Sequence, residues 1–245
     1  MVAEKQLDEF VSRTRQAAGE NLQSVILYGS AAAGDFHPEF SNLNLLCILR
    51  EISFGDLSAI APAVEWWHRQ KHPAPLVMTG EELQRSADVF SIELLDMQQH
   101  HRVLLGDDVL TGLRIPMEMH RAQVEYELRE KLILLRQRLL QAAGSNRDLW
   151  NLLLGSLSAF ATLFRHALIA LGETSPDSKR EAIQALATRI QFDPSALLQL
   201  LDIREHKADR KQFDVRDVFT RYLAAVKQVT SAVDTILDSS GPGTV

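Results

Sequence analysis

The period of the hydrophobic pattern changes several times along the first 117 residues, and each change predicts an element. Over 4–18, Leu7, Phe10, Val11 and Ala17 recur at near-helical spacing up to Gly19, which predicts an amphipathic helix. The runs LQSVILY (22–28) and LNLLCIL (43–49) are short and apolar, and predict two strands flanking one polar loop. Residues 55–71 predict a helix, APLVMT (74–79) a strand and GEELQRSA (80–87) a short helix. FSIELLDM (90–97) alternates, with Glu93 between Ile92 and Leu94, and predicts a further strand.

A Gly and a Pro bracket the extended stretch GLRIPMEM (112–119), and beyond it the period is helical throughout. In 120–143, Val124, Leu128, Leu132, Leu135 and Leu139 recur every three or four residues, leaving Arg121, Glu125, Arg129 and Arg136 outside. Residues 149–171 are apolar nearly all round. Their length invites a membrane reading, but Arg165, His166 and the Ser and Asn content predict the buried central helix of a bundle. Ser-Pro-Asp and Asp-Pro open helices predicted over 175–190 and 193–206, and 214–238 predicts the last. The expected fold class is α+β, with a mixed sheet and helices over 1–117, an all-α helical bundle over 118–240 and a tail at 241–245.

Charge and composition narrow the function. Residues 1–117 hold 9 Lys and Arg against 16 Asp and Glu, and the remainder hold 17 against 16. Neither part has the basic excess that neutralises a phosphate backbone, so a nucleic-acid polymer is not the expected partner. No apolar run predicts a membrane span, and the amphipathic, charged N-terminus lacks a secretory pattern, so the expected location is cytoplasmic. The single cysteine, Cys47, lies in an apolar strand as a small buried hydrophobe.

Candidate chemistry concentrates between the first two strands. Gly29 and Ser30 follow the first strand, and Ala31, Ala32 and Ala33 let a short helix begin with its N–H groups facing an anion, for which phosphate is the obvious choice. Asn42 and Asn44 bracket Leu43 at the start of the second strand, so period two puts both amides on one face, aimed back at the turn.

Tyr28, Gly29 and Ser30, eleven residues, then Asn42, Leu43, Asn44 and Leu45 resemble the signature of the DNA polymerase β-like nucleotidyltransferase superfamily, in which two acids stand where the amides are. FSIELLDMQQHHRVLLGDDVL (90–110) looks like the segment of aminoglycoside-type members that carries a third carboxylate, here Glu93. The helical part looks like their substrate-binding bundle. The resemblance implies an NTP with Mg²⁺ as cofactor and a small-molecule or protein acceptor. It gives Asn42, Asn44 and Glu93 the catalytic positions, Glu93 a metal-ligand role, and Gly29 and Ser30 the nucleotide-binding turn. Arg165 is the cation expected to meet phosphate or acceptor, against an internal ion pair or a helix edge.

Mg²⁺ takes oxygen ligands and is usually held by carboxylate together with phosphates, and two amides remove two charges from that set. The expected protein is therefore a nucleotide-binding or regulatory member with a weakened metal site. An active nucleotidyltransferase and a ligand-free structural protein are the alternatives. Asp35 and Glu39, in the loop, stand as compensating acids or solvated loop residues. Glu125, Glu127 and Glu130 stand as a source of a general base or as solvated residues. Trp66 and Trp67 are expected to pack, His100 and His101 to lie on the surface, and two copies of the chain to form a homodimer.

Overall fold

The computed structural model of the chain describes residues 2–29, 31–32, 42–174, 176 and 178–239. Two compact units divide it, Met1–Pro116 and Met117–Val245.

In the first unit the elements run α1 (Val2–Ala18), β1 (Leu22–Tyr28), β2 (Asn44–Leu49), α2 (Phe54–Arg69), β3 (Leu76–Thr79), α3 (Gly80–Arg85), α4 (Ser91–Gln99) and β4 (His101–Gly106). The strands form one sheet in the order β3-β2-β1-β4, with β1 antiparallel to both neighbours and β2 parallel to β3. Period two divides the side chains of β1 and β2 between two apolar layers. Val25, Leu27, Leu45, Cys47 and Leu49 pack with Leu7 and Phe10 of α1 and Ile60 and Trp67 of α2. Ile26, Leu46 and Ile48 pack on the other face with Leu83 of α3 and Leu94 and Met97 of α4. Local chemistry fixes where the helices start. Ser53 with Asp56 opens α2 and Thr79 with Glu82 opens α3, each pair satisfying two backbone N–H groups reciprocally. Burial pushes the Cys47 thiol up to about 12, in keeping with a packing role.

The strand expected over 90–97 is a helix. Ser91, Leu94 and Met97 are buried at three-residue spacing, and Glu, Leu, Met and Gln are strong helix formers. Glu93 therefore stands exposed in the first turn of α4, where the helix dipole favours an acid. The strand comes later, at His101–Gly106. Trp67 is fully buried against Phe10, with ring centroids 5.0 Å apart, as expected of a packing residue. Arg13 covers Trp66 at 4.9 Å.

The second unit contains α5 (Met117–Ala142), α6 (Asn146–Ala170), α7 (Lys179–Ile190), α8 (Ser195–Arg204) and α9 (Val215–Ser239). α6 is its centre and packs against each of the other four. It buries Leu149, Leu153, Leu157, Phe160, Phe164 and Ala167 among others. Among the described residues α6 alone is long and apolar enough to cross a membrane, and half of its most apolar window is buried inside the unit. Phe160 meets the buried Tyr222 of α9 edge-on at 5.8 Å, and the Tyr222 hydroxyl pairs with Ser156 Oγ at 2.9 Å, so the core carries a satisfied polar group.

Candidate functional site

β1 ends at Gly29 because the backbone there turns into the left-handed region, with φ of +80°. The Gly29 N–H donates to the carbonyl of His100 at 3.1 Å, and its own carbonyl accepts from the Ala32 N–H at 2.9 Å, closing a tight turn. The turn is thus tied to the start of β4. Ser30, Asp35 and Glu39 lie outside the described residues.

The antiparallel register sets Tyr28 opposite Asn44, which brings the start of β2 beside the turn. A Cβ built on Gly29 would come within 3.3 Å of the Asn44 Nδ2, a tight contact that the glycine avoids. Asn44 is partly buried and Asn42 exposed, while Leu43 between them is 2% exposed and packs into the α1/α2 layer. Asn44 shares the parity of Leu46 and Ile48 and so belongs to the face that α4 covers. The element carrying Glu93 therefore packs on the sheet face that carries Asn44. Arg165 is partly buried on α6, in the second unit.

Two supports of the site are not marked by any sequence motif. The Leu43 N–H points to His72 Nδ1 at 3.5 Å, His72 Nε2 lies 3.3 Å from Gln6 Oε1, and the ring stacks on Trp67 at 4.4 Å. Burial lowers the His72 pKa, which favours the neutral ring that can accept at Nδ1. His101, expected on the surface, has a side chain only 13% exposed. It stands opposite Tyr28 in β4, with Nδ1 3.1 Å from the Gln98 carbonyl and Nε2 3.1 Å from both Asp108 oxygens. The Thr111 hydroxyl, with His101 and the N–H groups of Thr111 and Leu110, holds the Asp108 carboxyl far below its usual range. The signal for β4 was present as an apolar run ending in Gly-Asp-Asp.

No group of three His, Cys, Asp or Glu suited to a metal occurs among the described residues. The donor set at 42 and 44 offers neutral amide oxygens where a divalent cation of this kind needs carboxylate charge, so these two side chains do not by themselves fit Mg²⁺.

By sequence, no family model and no curated protein matches this chain. By shape, it matches the crystal structure of spectinomycin adenyltransferase AAD(9) from Enterococcus faecialis with ATP and spectinomycin. The TM-score is 0.56 at 13% identity, over 94% of this chain and 99% of that one. This chain has the nucleotidyltransferase fold. Because the match extends over nearly all of both chains, the fold includes the helical second unit as well as the sheet. At the turn itself this chain has Gly29 in the left-handed region and the side chain of Asn44 beside it.

Proposed function

We propose that this protein binds a nucleoside triphosphate at the Gly29 turn without relying on a protein-held metal, and acts as a nucleotide-binding or regulatory protein with impaired nucleotidyl transfer. The observation that carries the reading is the approach of Asn44 Nδ2 to Gly29. An Asn amide offers two N–H donors where a carboxylate offers only acceptors. Donors beside a turn suit a phosphate oxygen directly, whereas two carboxylates there would repel it unless a cation stood between them. Asn42, which is exposed, is the second donor in this reading, with Ser30 as a further nucleotide-binding residue.

A second reading is favoured by the extent of the structural match. AAD(9) was solved with ATP and spectinomycin, and the match extends over 99% of that chain. In that reading a nucleoside monophosphate passes to a hydroxyl of a small molecule or protein. Glu93, exposed on α4, is then the acid retained near the nucleotide, and Arg165 the cation of the second unit.

Calorimetric titration of ATP, GTP, CTP and UTP, each with and without Mg²⁺ or Mn²⁺, separates the two. Binding of similar strength with and without metal supports the first reading. Binding seen only with metal, with release of pyrophosphate in the presence of an acceptor, supports the second and overturns the first. Absence of binding under every condition overturns both in favour of a structural protein.

A further inference from the structure

α5 carries two apolar rows, and only one of them is used inside the chain. Val124, Leu128, Leu132 and Leu135 are buried, and the helix packs against α6 and α9. The other row is Met119, Tyr126, Ile133 and Leu140, exposed by 49%, 64%, 54% and 83%. These four stand every seventh residue along three heptads. At about 100° per residue they fall on the side of the helix opposite the buried row. Single exposed apolar residues are ordinary. A heptad-spaced row about 31 Å long supplies one of the two apolar positions per heptad that a coiled-coil seam uses, and a second helix can follow it because the small drift per heptad is taken up by a left-handed supercoil.

We propose that this row is the interface of a homodimer in which α5 of one copy lies parallel to α5 of the other about a two-fold axis. The flanking residues select both the occupant and its direction. Ala122, Arg129 and Arg136 line one side of the row, and Gln123, Glu130 and Gln137 the other. A two-fold axis along the helices sets each apolar residue against its own copy and brings opposite flanks together. Arg129 of each copy then faces Glu130 of the other, twice over. An antiparallel pairing that matches the row to itself, Met119 to Leu140 and Tyr126 to Ile133, sets Arg129 against Arg129 and Glu130 against Glu130.

Both charged side chains are held by neighbours within the chain and stay accessible. Arg129 reaches Glu125 and Asp234 at 2.6 Å each, and Glu130 reaches Lys131 at 2.9 Å, with Arg129 and Glu130 still 48% and 42% exposed. Rim pairs of this kind fix register and direction, and the apolar row supplies the affinity. The inference does not depend on nucleotide binding.

Sedimentation equilibrium across the micromolar range reads the association. The wild-type chain is expected to dimerise, and Tyr126→Glu with Ile133→Glu to weaken the dimer by about a hundredfold. Unchanged helical circular dichroism is expected of this variant, since both positions are exposed. Direction is read by cross-linking with a short bis-maleimide, for which the buried Cys47 is a silent background. Ile133→Cys is expected to cross-link to itself. A mixture of Tyr126→Cys and Ile133→Cys chains, one of them mass-tagged, is expected to give homodimers and no mixed product. A monomeric wild type, a dimer that survives the double Glu variant, or cross-linking confined to the mixed pair overturns the proposal.

Discussion

Restoring acids at the start of β2 tests the central claim about the site. In Asn42→Asp with Asn44→Asp, two residues of extended chain separate the new carboxylates by about 6.6 Å on one face. Their repulsion at that distance is about 0.6 kcal/mol at the dielectric of water and about 2.5 kcal/mol at an effective dielectric of 20. Asn44 is partly buried and Asn42 exposed, so the value falls between these limits, at roughly 1 to 1.5 kcal/mol of lost stability. The sign follows from linkage. Repulsion and partial burial raise the folded-state pKa of the introduced acids above the unfolded value near 3.9. The destabilisation is therefore complete above the raised pKa and disappears as pH falls below the unfolded one.

The assay is urea unfolding of wild type and variant at low ionic strength, at neutral and acid pH, with and without Mn²⁺. A cation seated between the carboxylates turns the repulsion into attraction. The variant is expected to gain about 2.7 kcal/mol in all at a hundredfold excess of Mn²⁺ over its dissociation constant, more than offsetting the stability it lost, while the wild type does not respond. A wild type that responds as strongly as the variant would show that amides suffice to hold the ion. A variant that does not respond would show that positions 42 and 44 do not converge. Either result refutes the reasoning.

Three further outcomes follow from particular contacts. Gly106→Ala places a Cβ 1.9 Å from the backbone carbonyl oxygen of Gln23, at a φ of +77°, where no side-chain rotation relieves the clash. The loss is expected to be about 3 kcal/mol or more, read as a lowered urea midpoint at unchanged slope. Gly29→Ala costs about 1–2 kcal/mol for its left-handed backbone and presses on Asn44 Nδ2. ATP affinity measured by calorimetry should fall along with stability, and unchanged affinity would remove the turn from the site. His72 has a folded pKa below its ordinary value of 6.5, so the folded state binds fewer protons than the unfolded one. Its contribution is whole above that value and declines as pH drops below it. The acid-side slope of thermal stability should flatten in His72→Phe, and an unaltered slope would show that His72 is not its source.

Most of the fold could be read from residue periods, and the errors lie where two periods fit. The α1 and α5 patterns match one helical face, and the runs of β1 and β2 are too short and apolar for anything but buried strands. In FSIELLDM, however, Phe90, Ile92 and Leu94 satisfy period two while Ser91, Leu94 and Met97 satisfy the helical one. The choice is made by packing of Leu94 and Met97 onto Ile26, Leu46 and Ile48, residues more than forty positions away, which no local pattern contains. The site divides in the same way. The proximity of Gly29 and Asn44 follows from a strand, a loop and a second strand, since antiparallel pairing returns the chain to the turn it left. His72 was not legible, because its partners Gln6 and Leu43 come from α1 and from the residue just before β2 and meet it only after the helices have packed.

The structural and the electrostatic demands on this site are separable, and the sequence treats them differently. Gly29 has a left-handed backbone and a side chain there would press on Asn44, and Leu43 is buried between two polar neighbours, so geometry constrains the turn and the start of β2. Nothing in that geometry requires charge, because Asn and Asp have nearly the same shape. An exchange of acid for amide at these positions therefore changes charge with little change of shape. Residues 1–117 already carry 16 acids against 9 bases, so two more carboxylates would add to a field that opposes a triphosphate unless a cation came with it. On the proposed reading, neutral donors in the same places remove that requirement. On the proposed reading, metal-independence rather than weak binding as such would distinguish this chain from a nucleotidyltransferase with paired acids.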